Sequence, residues 1–178
     1  MITLTFDGLY RTVNIENQPQ HQTGLMCYGW IISRDGREVA HGHGAYARKK
    51  DASSNVAEYL ALIEGLEALR DMGLEREPVE VIGDARSVIE QLNGRAGVNS
   101  AQIRPLYQRT VRIARHFHRL TLTWLPRREN HAADQLTRRA LGQVNSTRSS
   151  CRQALDAALQ PHQHGLTTLL DLSVFSRI

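Results

Sequence analysis

The chain has 178 residues, a formal net charge of +4 and a sequence pI of about 9.4. This length suits one domain of ordinary size with additional segments, and a hydrophobic content of 41% can build a buried core. No apolar run approaches the length of a membrane span, and the N-terminal segment has no basic and apolar signal-peptide regions. We therefore expect a cytoplasmic protein with no membrane partner.

Hydrophobic periodicity predicts five strands and four helices in the order β-β-β-α-β-α-α-β-α. The strands are expected at residues 2–7, 26–33, 38–46, 79–82 and 120–125. The helices are expected at residues 53–72, 85–92, 104–117 and 130–141. A long polar loop is expected over residues 8–24, and Asp35-Gly36 predicts a hairpin turn between the second and third strands. An antiparallel meander followed by alternating strands and helices predicts an α/β fold with a mixed sheet covered by helices.

The C-terminal part of the chain differs from the rest. Residues 143–150 are mostly polar and predict a linker, which a short helical stretch and an apolar end follow. We expect one domain at residues 1–142, and a linker with a C-terminal extension of unknown role at residues 143–178. The extension could pack back on the domain, bind a protein partner or be partly disordered.

Four acidic residues occupy the ends of predicted elements, each in its own local signature. They are Asp7 in TFDG, Glu58 in SSNVAEYLALIEGL, Asp84 in VIGDARSVIEQLNG and Asp134 in RRENHAADQL. Taken singly, each also suits an ordinary turn, cap or solvated helix position. Brought to one edge of a sheet, two carboxylates ~4 Å apart would repel by ~4 kcal/mol at an effective dielectric of ~20. A divalent cation relieves that repulsion, and hard oxygen ligands suit Mg²⁺ or Mn²⁺.

Positive charge is concentrated in the second half of the chain. Residues 84–152 contain thirteen arginines, no lysines and four acids. Five of these arginines follow one another in and after the third predicted helix: Arg104, Arg109, Arg112, Arg115 and Arg119. Such asymmetry is typical of a protein with a polyanionic partner, although arginines on solvated faces would give the same composition.

The local signatures around the four acids occur together and in order. They are Phe6-Asp7-Gly8, Asn55-x-x-Glu58-Tyr59, Asp84 with Gln91-x-x-Gly94, and Asn130-x-x-Ala133-Asp134. With these motifs, about residues 1–142 of the chain resemble type 1 ribonuclease H. The resemblance implies a five-stranded mixed sheet and a metal-dependent hydrolase that cleaves the RNA strand of RNA/DNA hybrids and leaves 5′-phosphates.

The resemblance also implies roles for individual residues. Asp7, Glu58, Asp84 and Asp134 would be catalytic residues and would hold two Mg²⁺ or Mn²⁺ ions. Asp7 would bridge both ions, Glu58 and Asp84 would flank one of them, and Asp134 would hold the other.

Further residues are implied to contact the nucleic acid. Ser54 and Asn55 match positions that do so in the family, and Gly8 would leave room for backbone approach. Arg86 occupies a place where many relatives have glutamine, and it could reach a phosphate. Family members separate RNA from DNA through the 2′-hydroxyl, which the shallow minor groove displays.

The chain departs from many members of the family in two places. Only residues 126–129 separate the fifth predicted strand from Asn130, so the flexible loop with a histidine that many relatives carry is missing. The segment between Asp84 and the fifth strand is too short for the basic protrusion of some relatives. The chain resembles the shorter branch that lacks both features, in which some members also cleave double-stranded RNA.

Two other functions remain open at this point. One is a non-catalytic nucleic-acid-binding or assembly module that keeps the same fold. The other is a nuclease of related fold that acts on DNA junctions, which the context of Asn55 and Glu58 fits less well. Four intact carboxylates favour the enzyme, because a binding module gains nothing from acids packed against a phosphate backbone.

Overall fold

The computed structural model describes residues 1–14, 22–48, 52–158 and 173–174. The strands are β1 (Ile2–Asn14), β2 (Gln22–Arg34), β3 (Arg37–Arg48), β4 (Pro78–Gly83), β5 (Arg119–Trp124) and β6 (Ser173–Val174). The helices are α1 (Ser54–Asp71), α2 (Arg86–Leu92), α3 (Arg104–Ala114) and α4 (His131–Ala158), and a single 3-10 turn spans Arg127–Glu129. Among these residues, no helix combines the length and the apolar character that crossing a membrane requires.

The strands form one mixed sheet in the order β5-β4-β1-β2-β3-β6. Strands β1, β2 and β3 pair antiparallel, whereas β4 pairs parallel with both β1 and β5. Five long strands in this arrangement confirm the predicted mixed sheet flanked by helices, and the two-residue β6 adds a short edge. Because β4 ends level with Phe6 of β1, the residue that follows β4 is placed beside Asp7.

The two faces of the sheet are covered by different helices. Ile2, Leu4 and Phe6 of β1 belong to the larger core, together with the buried side of α1. Residues on the other face of the sheet, such as Cys27 of β2, pack with Ala140 of α4 in a smaller cluster. The alternation predicted for the first strand therefore separates an apolar face towards α1 from the face towards α4, to which Asp7 belongs.

Strands β1 and β2 are longer than the sequence predicts. A polar loop was expected over residues 8–24, but β1 continues to Asn14 and pairs there with Gln22 of β2. Residues 15–21 of the predicted loop lie outside the described residues. The extension contains few apolar residues in alternation, yet its pairing with β2 supplies backbone hydrogen bonds along one edge of β1, and this compensates for weak side-chain patterning.

The linker predicted at residues 143–150 is helical in the structure. Helix α4 begins at His131 as expected but continues without interruption to Ala158. No proline follows His131 before Ala158, so nothing in this stretch removes a helical hydrogen bond. The division into a domain at residues 1–142 and an extension at residues 143–178 remains a prediction. Within the extension, Val174 pairs with His43 at the outer edge of β3.

Candidate metal centre

Asp7 lies in β1 opposite Gly29, with 2% of its surface exposed. Thr137 Oγ1, on α4, donates a hydrogen bond of 2.9 Å to Asp7 Oδ2. Burial raises the pKa of Asp7 from 3.8 to about 6; the charges of Asp84 and Asp134 act in the same direction, and the hydrogen bond from Thr137 opposes them. Ionising Asp7 therefore costs more in the folded protein than in water, and a nearby cation would offset this cost.

Gly29 allows α4 to come close enough to reach Asp7. A Cβ atom at this position would lie 2.7 Å from Leu136 Cβ and 2.8 Å from the Ala133 carbonyl oxygen. Both distances are shorter than van der Waals contact, so any side chain here would push α4 off the sheet. The missing side chain on β2 thus sets the depth of the first turns of α4, which carry Asp134 and Thr137.

Glu58 projects from the second turn of α1, where the helix meets β1. The Gly8 N–H donates a hydrogen bond of 3.0 Å to Glu58 Oε2. A Cβ on Gly8 would lie 2.3 Å from the Glu58 nitrogen and 2.4 Å from the Ala57 carbonyl carbon, so the space beside Gly8 is filled by α1. Burial, with the charges of Asp7 and Asp84, raises the pKa of Glu58 well above its usual value.

Asp84 follows β4 directly and is held from two sides. Asn130 Nδ2 donates a hydrogen bond of 3.3 Å to Asp84 Oδ1. Trp124 Nε1, at the end of β5, donates one of 3.0 Å to the backbone oxygen of Asp84. These contacts tie the residue after β4 to the end of β5 and to the residue that directly precedes α4.

Asp7, Glu58 and Asp84 form one group of possible metal ligands. Each offers a carboxylate oxygen, and the three oxygens lie within 4.8 Å of one another. Within the described residues, no arginine or lysine forms an ion pair with any of the three. Three hard oxygen donors that no direct ion pair neutralises fit a divalent cation such as Mg²⁺ or Mn²⁺.

Asp134 lies at the same edge but outside this group. Arg127 Nη2 lies 2.7 Å from Asp134 Oδ1, and Arg138 Nε lies 2.6 Å from Asp134 Oδ2. The hydrogen bonds from Arg138 and Arg127 hold the pKa of Asp134 below its usual value. Asp134 is near enough to Asp7 to raise the pKa of that residue. The structure therefore brings three of the four predicted carboxylates together and places the fourth beside them, paired with arginine.

The residues expected to contact nucleic acid lie close to this group. Ser54 and Asn55 are exposed at the start of α1, and Ser87 Oγ donates a hydrogen bond of 3.1 Å to Asn55 Oδ1. Arg86, the first residue of α2, is exposed; its guanidinium pairs with Glu90 at 2.6 Å and lies 5.7 Å from the centre of the Trp124 ring.

Sequence reasoning did not assign a site role to Asn130, Thr137, Arg127 or Arg138. Asn130 was expected only at the start of the last helix, in the motif before Asp134; in the structure its amide nitrogen donates to Phe6 O and to Asp84. A usable signal was present, because residues three or four positions from Asp134 share its side of a helix. Arg138 and Thr137 meet this spacing, whereas Arg127 precedes the helix and had no such signal.

The sheet order, the helices on both faces and the acidic group at one edge define a ribonuclease H-like domain. The chain belongs to the family described as "Reverse transcriptase-like", whose model matches residues 16–140. The matched range includes Glu58, Asp84 and Asp134 and begins after Asp7.

Known proteins similar to this chain include type 1 ribonucleases H. Ribonuclease HI of Halobacterium salinarum is 36% identical over 119 residues, which are 66% of this chain and 57% of that relative. The chain thus matches little more than half of the relative's length. The crystal structure of RNase H1 from the halophilic archaeon Halobacterium salinarum NRC-1 is 33% identical, covers 80% of this chain and 98% of its own, and has a TM-score of 0.68. LC11-RNase H1, solved in complex with an RNA/DNA hybrid, is 25% identical, with coverages of 81% and 99% and a TM-score of 0.70. The predicted resemblance is confirmed.

Proposed function

We propose that this protein is a ribonuclease H: a metal-dependent endoribonuclease that hydrolyses the RNA strand of RNA/DNA hybrids and leaves 5′-phosphates. The observation that carries the proposal is the group of Asp7, Glu58 and Asp84, whose ligand oxygens lie within 4.8 Å of one another. The similarity to ribonuclease HI and to LC11-RNase H1, which was solved with an RNA/DNA hybrid, supports the same activity.

Two Mg²⁺ or Mn²⁺ ions are the proposed cofactors. Asp7 would contact both ions, Glu58 and Asp84 would hold one, and Asp134 would hold the other. Such ions, when bound, activate a water molecule and stabilise charge on the phosphate and on the leaving oxygen. The arginines next to Asp134 keep its carboxylate ionised, so it can act as a ligand without first losing a proton.

Asp7 and Glu58 behave differently from Asp134. Their raised pKa values mean that protons compete with a cation for both carboxylates; for Asp7 this competition begins below about pH 6. Binding of a divalent ion releases those protons and removes the repulsion within the group. The carboxylate group would therefore attract a cation, and the raised pKa values of Asp7 and Glu58 would make binding strengthen as the pH rises.

The substrate would lie across the edge formed by the starts of α1 and α2. Ser54 and Asn55 present short polar groups there, which suit the 2′-hydroxyl groups of an RNA strand in a shallow minor groove. Arg86 supplies a positive charge for a phosphate, which is a salt-sensitive contact. Gly8 would contribute backbone contacts only. Double-stranded RNA displays the same 2′-hydroxyl groups, and we include it as a second substrate.

Two parts of the proposal rest on the sequence alone. We place the protein in the cytoplasm, and we assign any protein partner to residues 143–178. Neither part affects the chemistry assigned to the carboxylate group.

The test is a side-by-side cleavage assay on RNA/DNA hybrid, double-stranded RNA and double-stranded DNA, with Mg²⁺, with Mn²⁺ and with EDTA. We expect cleavage of hybrid that requires a divalent ion and that is lost in Asp84→Asn. Hybrid cleavage that persists in Asp84→Asn would refute the assignment of the metal site. Tight hybrid binding that is insensitive to EDTA, with no turnover of any duplex, would instead identify a non-catalytic binding module.

A further inference from the structure

Helix α4 contributes more to the carboxylate group than Asp134. Two polar side chains, Thr137 on α4 and Asn130 directly before it, donate hydrogen bonds to the carboxylates of Asp7 and Asp84. We propose that Thr137 and Asn130 are positioning residues, which fix the direction of these two carboxylates so that their free oxygens converge on the cation. The inference depends on the proposed function only in taking Asp7 and Asp84 as metal ligands.

Thr137 is completely buried, at 0% exposure, and so is unable to exchange its partner for bulk water. Its hydroxyl oxygen lies 2.9 Å from Asp7 Oδ2 and 2.8 Å from the backbone oxygen of Asp134, so its one hydrogen is shared between these two acceptors. It therefore connects the central strand to the first turn of α4. Asp7 Oδ2 is engaged by this donor, whereas Asp7 Oδ1 accepts no hydrogen bond from the described residues and is left for a cation.

Asn130 is 1% exposed and makes the corresponding contact on the other side of the group. Its Nδ2 donates to Phe6 O at 2.9 Å and to Asp84 Oδ1 at 3.3 Å. Rotating the amide by half a turn would bring its oxygen against two other oxygens, so the orientation of the amide is determined. Asn130 thus links the residue before Asp7 in β1 with the residue after β4.

The amide oxygen of Asn130 is buried and has no hydrogen-bond partner among the described residues. A buried acceptor without a partner is unfavourable. The donor side of the same amide is fully used, on one backbone oxygen and one carboxylate. The position of Asn130 is therefore explained by the two oxygens to which its amide nitrogen donates, and not by the hydrogen bonding of its own oxygen.

The carboxylates need such support because they repel one another. Oxygens of Asp7, Glu58 and Asp84 lie within 4.8 Å, and each carboxylate would lower its energy by turning away from its neighbours. A hydrogen-bond donor behind each of Asp7 and Asp84 opposes that rotation. Buried partners that orient ligands in this way typically change metal affinity or activity by about 10–100-fold when removed.

The experiment compares Thr137→Val, which keeps the shape but removes the hydroxyl, with Thr137→Ser, which keeps the hydroxyl. Thr110→Val is the matched control, because Thr110 is also buried, on α3, and its hydroxyl donates only to Leu106 O at 2.9 Å. For each protein we would measure Mn²⁺ affinity without substrate, thermal unfolding without divalent ions, and kcat and KM on RNA/DNA hybrid.

We expect Thr137→Val to weaken Mn²⁺ binding by about 10–100-fold and to lower kcat similarly, with little change in KM. Thr137→Ser should restore both to within about threefold, and Thr110→Val should leave both unchanged. Asn130→Ala should also weaken Mn²⁺ binding. If Thr137→Val does not fold, Thr137→Ala, which adds no atoms, takes its place.

Mn²⁺ affinity and kcat that stay at the wild-type value in Thr137→Val, whatever its thermal stability, would overturn the proposal. So would losses that Thr137→Ser fails to restore. A wild-type protein that binds Mn²⁺ but cleaves no hybrid would refute the proposed function, whereas the comparison of Mn²⁺ affinities would still test the positioning role.

Discussion

Replacing Asp7 by asparagine should stabilise the ion-free protein while it destroys the metal site. Burial raises the pKa of Asp7 from 3.8 to about 6. The folded protein therefore holds this proton more tightly than the unfolded chain does, and stability falls as the pH rises between these two values. A difference of roughly two pH units corresponds to about 3 kcal/mol, which the ionised carboxylate costs at neutral pH without a cation.

Asparagine has nearly the same shape and no charge, so Asp7→Asn should avoid this cost. Its amide oxygen can still accept the hydrogen bond from Thr137, and its amide nitrogen can face Asp84 and Glu58. At about pH 7 in EDTA we expect the variant to be about 3 kcal/mol more stable than wild type, and at about pH 4 nearly equal to it. With Mg²⁺ or Mn²⁺ added, only the wild type should gain stability.

The assay is urea unfolding of both proteins at several pH values, with and without divalent ions. Asp71→Asn, which removes an exposed carboxylate at the end of α1, is the control for a change in net charge and should stay within about 0.5 kcal/mol of wild type. A stability difference for Asp7→Asn that does not depend on pH would mean that packing, not charge, is responsible. A destabilised variant at neutral pH would refute the reasoning outright.

Gly8→Ala should unfold the start of α1 or destabilise the protein by at least ~2 kcal/mol, because its Cβ would meet the α1 backbone. Gly142→Ala, with no atom near its Cβ, should stabilise α4 by up to ~1 kcal/mol, and urea unfolding distinguishes the two variants. Arg86→Ala should raise KM for hybrid and reduce the slope of log binding affinity against log salt concentration by about 1. Arg76→Ala is the exposed control, and an unchanged slope in Arg86→Ala would mean that Arg86 does not contact the substrate. Mn²⁺ should raise the unfolding temperature more at about pH 8 than at about pH 5, because protons compete with the ion for Asp7 and Glu58 at the lower pH. An equal rise in unfolding temperature at the two pH values would contradict the raised pKa values.

Most of the fold was predictable because local patterns and tertiary packing agree. The alternation of Ile2, Leu4 and Phe6 marks the face that α1 covers. Asp35 and Gly36 both have positive φ, at 51° and 77°, as the predicted hairpin turn requires. The predicted C-terminal ends of β1 and α4 were wrong. Strand pairing extends β1 past its apolar pattern, and a polar sequence without proline continues α4 once the helix has formed.

The candidate site was predictable at the level of residue types and not at the level of contacts. The motifs around Asp7, Glu58 and Asp84 predicted a shared edge, and these three side chains meet there. The pairing of Asp134 with Arg127 depends on how the 3-10 turn folds back, which no periodicity reports. The contact between Thr137 and Asp7 joins residues 130 positions apart, and its signal appears only when α4 is packed on the sheet.

Because α4 is uninterrupted, the number of residues in it determines the orientation of the chain that follows it. From His131 to Ala158 the helix has 28 residues and a length of about 42 Å, a stiff rod rooted beside the carboxylates. Adding or deleting one residue beyond Leu141 would turn whatever follows by about 100° and shift it by about 1.5 Å. The orientation of a domain fused after Ala158, relative to the nucleic acid, would therefore depend on the number of residues in this part of the helix.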